Sequence, residues 1–188
     1  MENAIKDFFN KMAPHWNDSP KNEKIPEYLD MLPLKEGMKV LDLGCGTGKI
    51  SELLYQKVNR KITAIDLSEN MIEIAQKTND NSHIDFRCLD FYQFDEVGYD
   101  FIICFDAYPH FLDVESFVEK ANNLLNDGGF VAILHDLGRK SLESHHRDIF
   151  NISRHLESPE CEIKPFLKHF KEIRKEESDN HYLLLLQK

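Results

Sequence analysis

Apolar positions along this chain change their period repeatedly, and the changes predict strands alternating with helices. Short apolar runs at about 38–43, 62–66, 84–88, 100–105 and 130–135 have the length and content of buried strands. Between them the spacing becomes helical. Ile50, Leu53, Leu54 and Val58 make one stripe, and Val114, Phe117, Val118, Ala121, Leu124 and Leu125 make a longer one. Asp113 is placed to cap the longer helix, and Asn126-Asp127-Gly128-Gly129 to end it. Such alternation predicts an α/β fold in which a parallel sheet is covered on both faces. Two last strands, at 171–177 and 181–187, are separated by Ser178-Asp179-Asn180 and so predict an antiparallel hairpin. Residues 1–34 form a helical preface. Ile5, Phe8, Phe9 and Met12 share a face that Pro14 terminates, and Ser19-Pro20 is a plausible second start ahead of Ile25, Tyr28, Leu29 and Leu32.

Composition narrows the class. A chain of 188 residues with 41% apolar and 11% aromatic content can build one substantial core, so one domain over 1–188 is expected. The formal charge is −10, from 33 acidic residues against 23 Lys and Arg, which disfavours nucleic acid as a partner. Cys45, Cys88, Cys104 and Cys161 stand singly, with no C-x-x-C pair; the three in or beside predicted strands or the glycine turn, Cys45, Cys88 and Cys104, are expected to be reduced packing residues, and a zinc site is disfavoured. Met1–Asp7 carries no signal pattern, and the longest apolar run, Leu183–Leu186, is strand-sized. A cytoplasmic protein without a membrane span is the expectation.

The chemistry concentrates in Val40-Leu41-Asp42-Leu43-Gly44-Cys45-Gly46-Thr47-Gly48. A strand, a glycine turn and a helix start make a nucleotide-binding corner, since free backbone N–H groups and the helix dipole face the ligand. The dinucleotide pattern G-x-G-x-x-G would put its third glycine at Lys49, yet here it comes one residue early, at Gly48. The tighter turn leaves less room for a pyrophosphate and suits a compact ligand with an amino-acid tail. A plain glycine-rich connection is the alternative. This motif resembles the first motif of the class I S-adenosylmethionine-dependent methyltransferases.

That resemblance implies a Rossmann-like sheet of seven strands, mostly parallel, with helices on both faces and an antiparallel last strand. It implies S-adenosylmethionine as cofactor, held by Asp42, Gly44, Cys45, Gly46, Thr47, Gly48, Asp66, Leu67, Met71, Asp90, Phe91 and Phe105. Asp66 closes the second strand, where two carboxylate oxygens can accept both ribose hydroxyls. Nicotinamide enzymes also place an acid there, and Asp66 could instead cap the following helix, though Ser68 already serves. Asp90 matches an acid that meets the adenine amino group in this class, with a solvated turn acid as its plainer reading. Asp42 orients the turn or meets the donor's ammonium, and a carboxylate-lined pocket suits a cationic ligand.

Acceptor-side candidates follow the fourth and fifth strands. Phe101 to Phe111 is similar to the Ala-Leu-His-His-Phe-like run of small-molecule methyltransferases, with Pro109 where the first His is usual. Asp106 and His110 are candidate catalytic residues, and Tyr108 a substrate contact. The order Asp106-Ala107-Tyr108-Pro109 is not the Asp/Asn-Pro-Pro-Tyr motif of amino-group methylases. His135, at a strand's carboxyl end, is a candidate general base. With Asp136 and His145 or His146 it could hold a divalent ion, or it is simply a hydrogen-bonded wall residue. Arg139 could bind an acceptor carboxylate or pair with a surface acid. Trp16 lies where ubiquinone/menaquinone-type methyltransferases place a helical lid, which makes 1–34 the candidate lid, with ordinary packing the alternative. Phe8, Phe9, Trp16, Phe105, Tyr108 and Phe111 could line an apolar chamber or pack in the core. The whole implies methyl transfer to a small-molecule acceptor. A non-catalytic donor-binding module is the alternative, and a nicotinamide-dependent oxidoreductase is opposed by Gly48 and Asp90.

Overall fold

The computed structural model describes residues 2–18, 22–146 and 152–188. Its seven strands are β1 Val40–Leu43, β2 Ile62–Asp66, β3 Ile84–Cys88, β4 Tyr99–Phe105, β5 Leu125–His135, β6 Lys171–Glu177 and β7 Tyr182–Gln187. They form one sheet in the order β3-β2-β1-β4-β5-β7-β6. Strands β1 to β5 pair in parallel, and β7 runs antiparallel to both β5 and β6. The expected α/β class and reversed last strand are therefore what the chain adopts. Strand order reverses between β1 and β4, which opens a crevice beyond their carboxyl ends, the ligand position of open α/β sheets.

The helices are α1 Glu2–Met12, α2 Ile25–Asp30, α3 Ser51–Val58, α4 Glu69–Thr78, α5 Val114–Leu124, α6 Arg139–His146 and α7 Pro159–Glu162. Period-two alternation divides β1, β2, β4, β5 and β7 between two cores. Leu41 and Leu43 join Ile102, Cys104 and the α5 residues Phe117, Val118 and Ala121 on one face. Val40 joins Ala64, Phe101, Ile103, Leu54 and Leu29 on the other. Burial on both faces is why these strands read as continuous apolar runs.

Two expectations about the elements change. Strand β5 begins at Leu125 rather than about residue 130, because Leu125 pairs with Tyr99 and Phe130 with Phe101 across a register shift. The exposed Asn126–Gly128 stretch bulges out between them, with Gly128 at φ +80°. The carbonyls left open at the end of α5 take the Lys188 ammonium, at 2.7 Å from Asn122 O and 2.8 Å from Leu125 O. Cys45 and Cys104 are buried, but Cys88 and Cys161 are exposed, so Cys88 is no packing residue. It ends the edge strand β3, which has a neighbour on one side alone. The proposed Ser19-Pro20 start lies outside the described residues.

The preface helix is stitched across the site by polar bonds. Asn10 Oδ1 accepts from Ser68 Oγ at 2.6 Å and from Asn70 N at 3.1 Å, and Lys6 pairs with Glu69. Asn17 Oδ1 accepts from Thr47 Oγ1 at 2.9 Å, tying the following turn to the glycine loop.

Asp113 caps α5 as its spacing predicts, accepting from Ser116 N at 3.0 Å and Ser116 Oγ at 2.7 Å. Replacing it with Ala should lower the midpoint of urea unfolding, since the cap satisfies an otherwise open helix donor.

Candidate active site

A cavity of about 560 Å³ opens at the carboxyl ends of β1, β2, β3 and β4. Its floor is the glycine turn after β1. Gly44 has φ +71°, and a Cβ there would lie 2.6 Å from Ala107 Cβ, so the turn can approach β4 this closely only without a side chain. Gly48 has φ +81° and is pressed on the Phe86 ring. The amides of Gly44 and Cys45 both donate to Ile65 O, at 2.9 and 3.0 Å. The turn is thereby fastened to β2 before any ligand arrives.

Asp66 completes that fastening. Its Oδ2 accepts from Gly46 N and its Oδ1 from Ser68 N, each at 2.8 Å. A carboxylate has about four lone-pair sites, so each oxygen retains acceptor capacity, and Asp66 lines the cavity. Ser68 Oγ caps α4 by accepting from Met71 N at 3.1 Å, so Asp66 is not needed as the cap. Asp90 repeats the pattern: Oδ1 accepts from Tyr92 N at 3.0 Å, and the group faces the cavity beside Phe91, Leu67 and Met71. Asp42 is almost fully buried, and its Oδ2 accepts from Ser51 Oγ at 2.6 Å. Burial pushes the Asp42 carboxyl up to about 7, with the Ser51 hydroxyl opposing and the Asp66 charge adding to the rise. Burial raises Asp66 as well, against the pull of its backbone donors.

On the β4 side the cavity is lined by Phe105, Asp106, Ala107, His110 and Phe111. Asp106 sits at φ +54°, a left-handed conformation that Asp tolerates better than most residues. Its Oδ1 accepts from Asp136 N at 3.0 Å. Lys49 Nζ lies 3.1 Å from Asp136 Oδ2 and 3.5 Å from Asp106 Oδ2, above the Phe105 ring. Burial and the neighbouring Asp136 charge raise the Asp106 carboxyl, with Lys49 opposing. His110 Nδ1 is 2.9 Å from Ile152 O, so that nitrogen carries the hydrogen and donates. Phe9 meets the His110 ring edge-on at 4.8 Å, and Trp16 meets Phe9 at 5.7 Å. Trp16 lies over the turn: a Cβ on Gly46 would be 3.5 Å from its indole nitrogen.

The residues expected from sequence thus divide. Asp42, Gly44, Cys45, Gly46, Asp66, Leu67, Met71, Asp90, Phe91, Phe105, Asp106, His110 and Trp16 line this cavity. Thr47 and Gly48 shape the turn from behind, through Asn17, Phe86 and the Thr47 O that accepts from Asn79 Nδ2. His135 is not in the cavity: β5 runs on to it with Tyr182 paired alongside, leaving it 1% exposed, with Nδ1 3.6 Å from Asp106 Oδ1. Tyr108 also turns inward, against Phe117, and donates to Glu162 Oε1 at 3.1 Å. Arg139 pairs with Glu177 at 3.2 Å and lines a separate cleft beside β6. Phe8 packs on Phe9 outside the lining set. The side chains of His145 and His146 lie outside the described residues. Sequence reasoning passed over Lys49, noted merely as a missing glycine. Its signal was its position, one residue beyond the turn, from which a long cation can span to β4 and β5.

A family model described as a methyltransferase domain matches residues 40–129. The chain is 36% identical over 108 residues to a malonyl-[acyl-carrier protein] O-methyltransferase of Acetivibrio thermocellus, covering 55% of this chain and 38% of that protein. It is 31% identical over 138 residues to a ubiquinone biosynthesis O-methyltransferase of Chromobacterium violaceum, covering 66% and 59%. It therefore spans about two fifths to three fifths of the length of these curated relatives. Among solved structures, the complex between the Haloferax volcanii Trm112 methyltransferase activator and a methyltransferase contains a chain matching at TM-score 0.82, with 18% identity and 97% and 96% coverage. Magnesium protoporphyrin IX methyltransferase from Synechocystis with bound S-adenosylhomocysteine matches at TM-score 0.74, with 18% identity and 100% and 99% coverage.

The buried acid in β1 yields a stability test. Asp42 titrates in the fold near 7 and in the unfolded chain near the ordinary carboxylate value of 3.8, so the native state binds more protons between those limits. Stability falls as pH rises from about 4 through 7. Asp42→Asn, which can still accept from Ser51, should exceed the parent in stability by on the order of 4 kcal/mol at pH 8 and only about 1 kcal/mol at pH 4.5. Urea unfolding at the two pH values measures it, and an equal difference at both would refute the buried-acid account.

Proposed function

We propose that the chain is a class I S-adenosylmethionine-dependent methyltransferase that transfers the donor's methyl group to a small-molecule acceptor in the cytoplasm. The observation that carries this reading is the pair of strand-end carboxylates, Asp66 and Asp90. Each is fixed by backbone N–H donors and still has acceptor capacity toward one cavity. Asp66 would hold the two ribose hydroxyls, and Asp90 the adenine amino group with Phe91, Leu67 and Met71 around the ring. The Gly44–Gly46 turn, backed by Asp42, would take the amino-acid tail. A pyrophosphate cofactor is disfavoured by the same carboxylates. The four unpaired thiols support a reducing compartment, and among the described residues no helix is long and apolar enough to cross a membrane.

The donor supplies a methyl group already activated on a sulfonium. What remains for the protein is alignment and exclusion of water, effects that lower a barrier by roughly 7–11 kcal/mol. Helix α1 with Phe9, Met12 and Trp16 is the lid over the cavity, and Phe111 and Tyr92 extend an apolar wall on the acceptor side. An acceptor with an apolar or aromatic body suits that wall. His110 is the candidate proton acceptor: its Nδ1–H is committed to Ile152 O, so Nε2 is the nitrogen of the neutral ring that can take a proton. A base at this position would add about 10²–10⁴-fold where the acceptor must lose a proton.

Four outcomes test the reading. Calorimetry should show binding of S-adenosylhomocysteine and no binding of NAD, with Asp66→Ala abolishing most of the affinity; the reverse ligand preference would refute it. Since burial raises the Asp42 carboxyl to about 7, a cationic ligand that meets it favours loss of its proton. Affinity should therefore rise as pH climbs through about 7, more steeply for the sulfonium donor than for its demethylated product. Tritiated-methyl transfer to a metabolite mixture should label an acceptor, whereas a donor-binding module would label none. With that acceptor, His110→Ala should lower turnover by about 10²–10⁴-fold at unchanged donor affinity.

A further inference from the structure

We propose that the buried Arg154–Glu162 ion pair positions His110, by clamping the segment 108–111 after β4 against the segment 152–162. The pair lies behind the cavity wall, not in it. The Glu162 side chain is 3% exposed and Arg154 17%, with the guanidinium 2.6 Å from Glu162 Oε1. A buried charge pair carries a desolvation penalty that an apolar pair would avoid, so its bonds reveal what it secures.

Those bonds all run between the two segments or within the second. Arg154 N donates to Pro109 O at 2.9 Å and Arg154 Nε to Phe111 O at 3.3 Å, on either side of His110. The guanidinium also lies over the Tyr108 ring, 4.4 Å from its centroid. Glu162 Oε1 accepts from Tyr108 OH at 3.1 Å, and Oε2 from Glu157 N at 3.0 Å. His110 itself donates from Nδ1 to Ile152 O, two residues before Arg154 in sequence. Residues 109 and 111 are thus anchored to Arg154, while the ring between them is anchored to the same strand of chain. Planarity matters here, because the guanidinium presents donors in fixed directions to Phe111 O and His155 O while its charge lies against Glu162. An ammonium cannot reproduce that fork.

The catalytic meaning of the clamp rests on His110 being the proton acceptor, but its geometry does not, and the test separates the two. In protein labelled with ¹⁵N-histidine, multiple-bond ¹H–¹⁵N correlation reports the ring tautomer, and the His110→Ala spectrum identifies the His110 signals. The parent should show neutral His110 as a single Nδ1–H tautomer. Arg154→Lys should convert it to a tautomer mixture while S-adenosylhomocysteine affinity stays within about twofold. With the labelled acceptor of the preceding section, kcat should fall by up to about 100-fold, as misplacement of a reacting group by 1 Å can cause, with the donor KM unchanged. Should Arg154→Lys fail to fold, the double variant Arg154→Met/Glu162→Met removes both charges without orphaning either, and it should show the same loss of the fixed tautomer. A single Nδ1–H tautomer retained in the folded variants overturns the clamp. If His110→Ala leaves methyl transfer intact while the tautomer is lost in Arg154→Lys, the clamp stands and the proton-acceptor assignment falls.

Discussion

Everything at the cavity follows from carboxylates brought together at the carboxyl ends of neighbouring strands, in a place with little water. Asp42 on β1, Asp66 on β2 and Asp106 after β4 are each driven toward the neutral form by burial. Their remaining needs are met by fixed donors: the Ser51 hydroxyl, the amides of Gly46 and Ser68, and the amide of Asp136. The result is a site short of positive charge even though its hydrogen bonds are in order. Lys49 offsets part of that deficit on the β4–β5 side, and a cationic ligand is the natural complement of the rest.

The parts legible in the sequence were those encoded locally. The first motif combines a strand, a turn and a helix within about a dozen residues. The three glycines and Asp42 therefore announce their own geometry, and Gly44 and Gly48 adopt positive φ as such a turn requires. Asp66 and Asp90 were legible for the same reason, since the end of a parallel strand points to the crevice whatever the rest of the chain does. Asp113 and Ser68 were legible as caps because a cap acts over three residues.

What escaped depends on pairs distant in sequence. Tyr108 and His110 belong to one turn and are both aromatic, yet one donates to Glu162 inside the α5 cluster while the other faces the cavity. That choice is made by residues 152–162, which no local pattern connects to β4. His135 was misplaced because β7 pairs alongside the last residue of β5, which turns a strand end into an interior position. The β5 bulge was misread as a helix terminus because Asn-Asp-Gly-Gly serves either purpose; Lys188, some 60 residues on, supplies the charge that closes the helix instead.

The seam between α1 and α4 has one more consequence. Its bonds, from Lys6 and Asn10 to Glu69, Ser68 and Asn70, include one ion pair, Lys6–Glu69, which is open to solvent and so weakened by salt. Detaching α1 would disturb none of the sheet's own ladders. The attachment of α1 across the crevice is thus more sensitive to salt than the ladders that hold the sheet together.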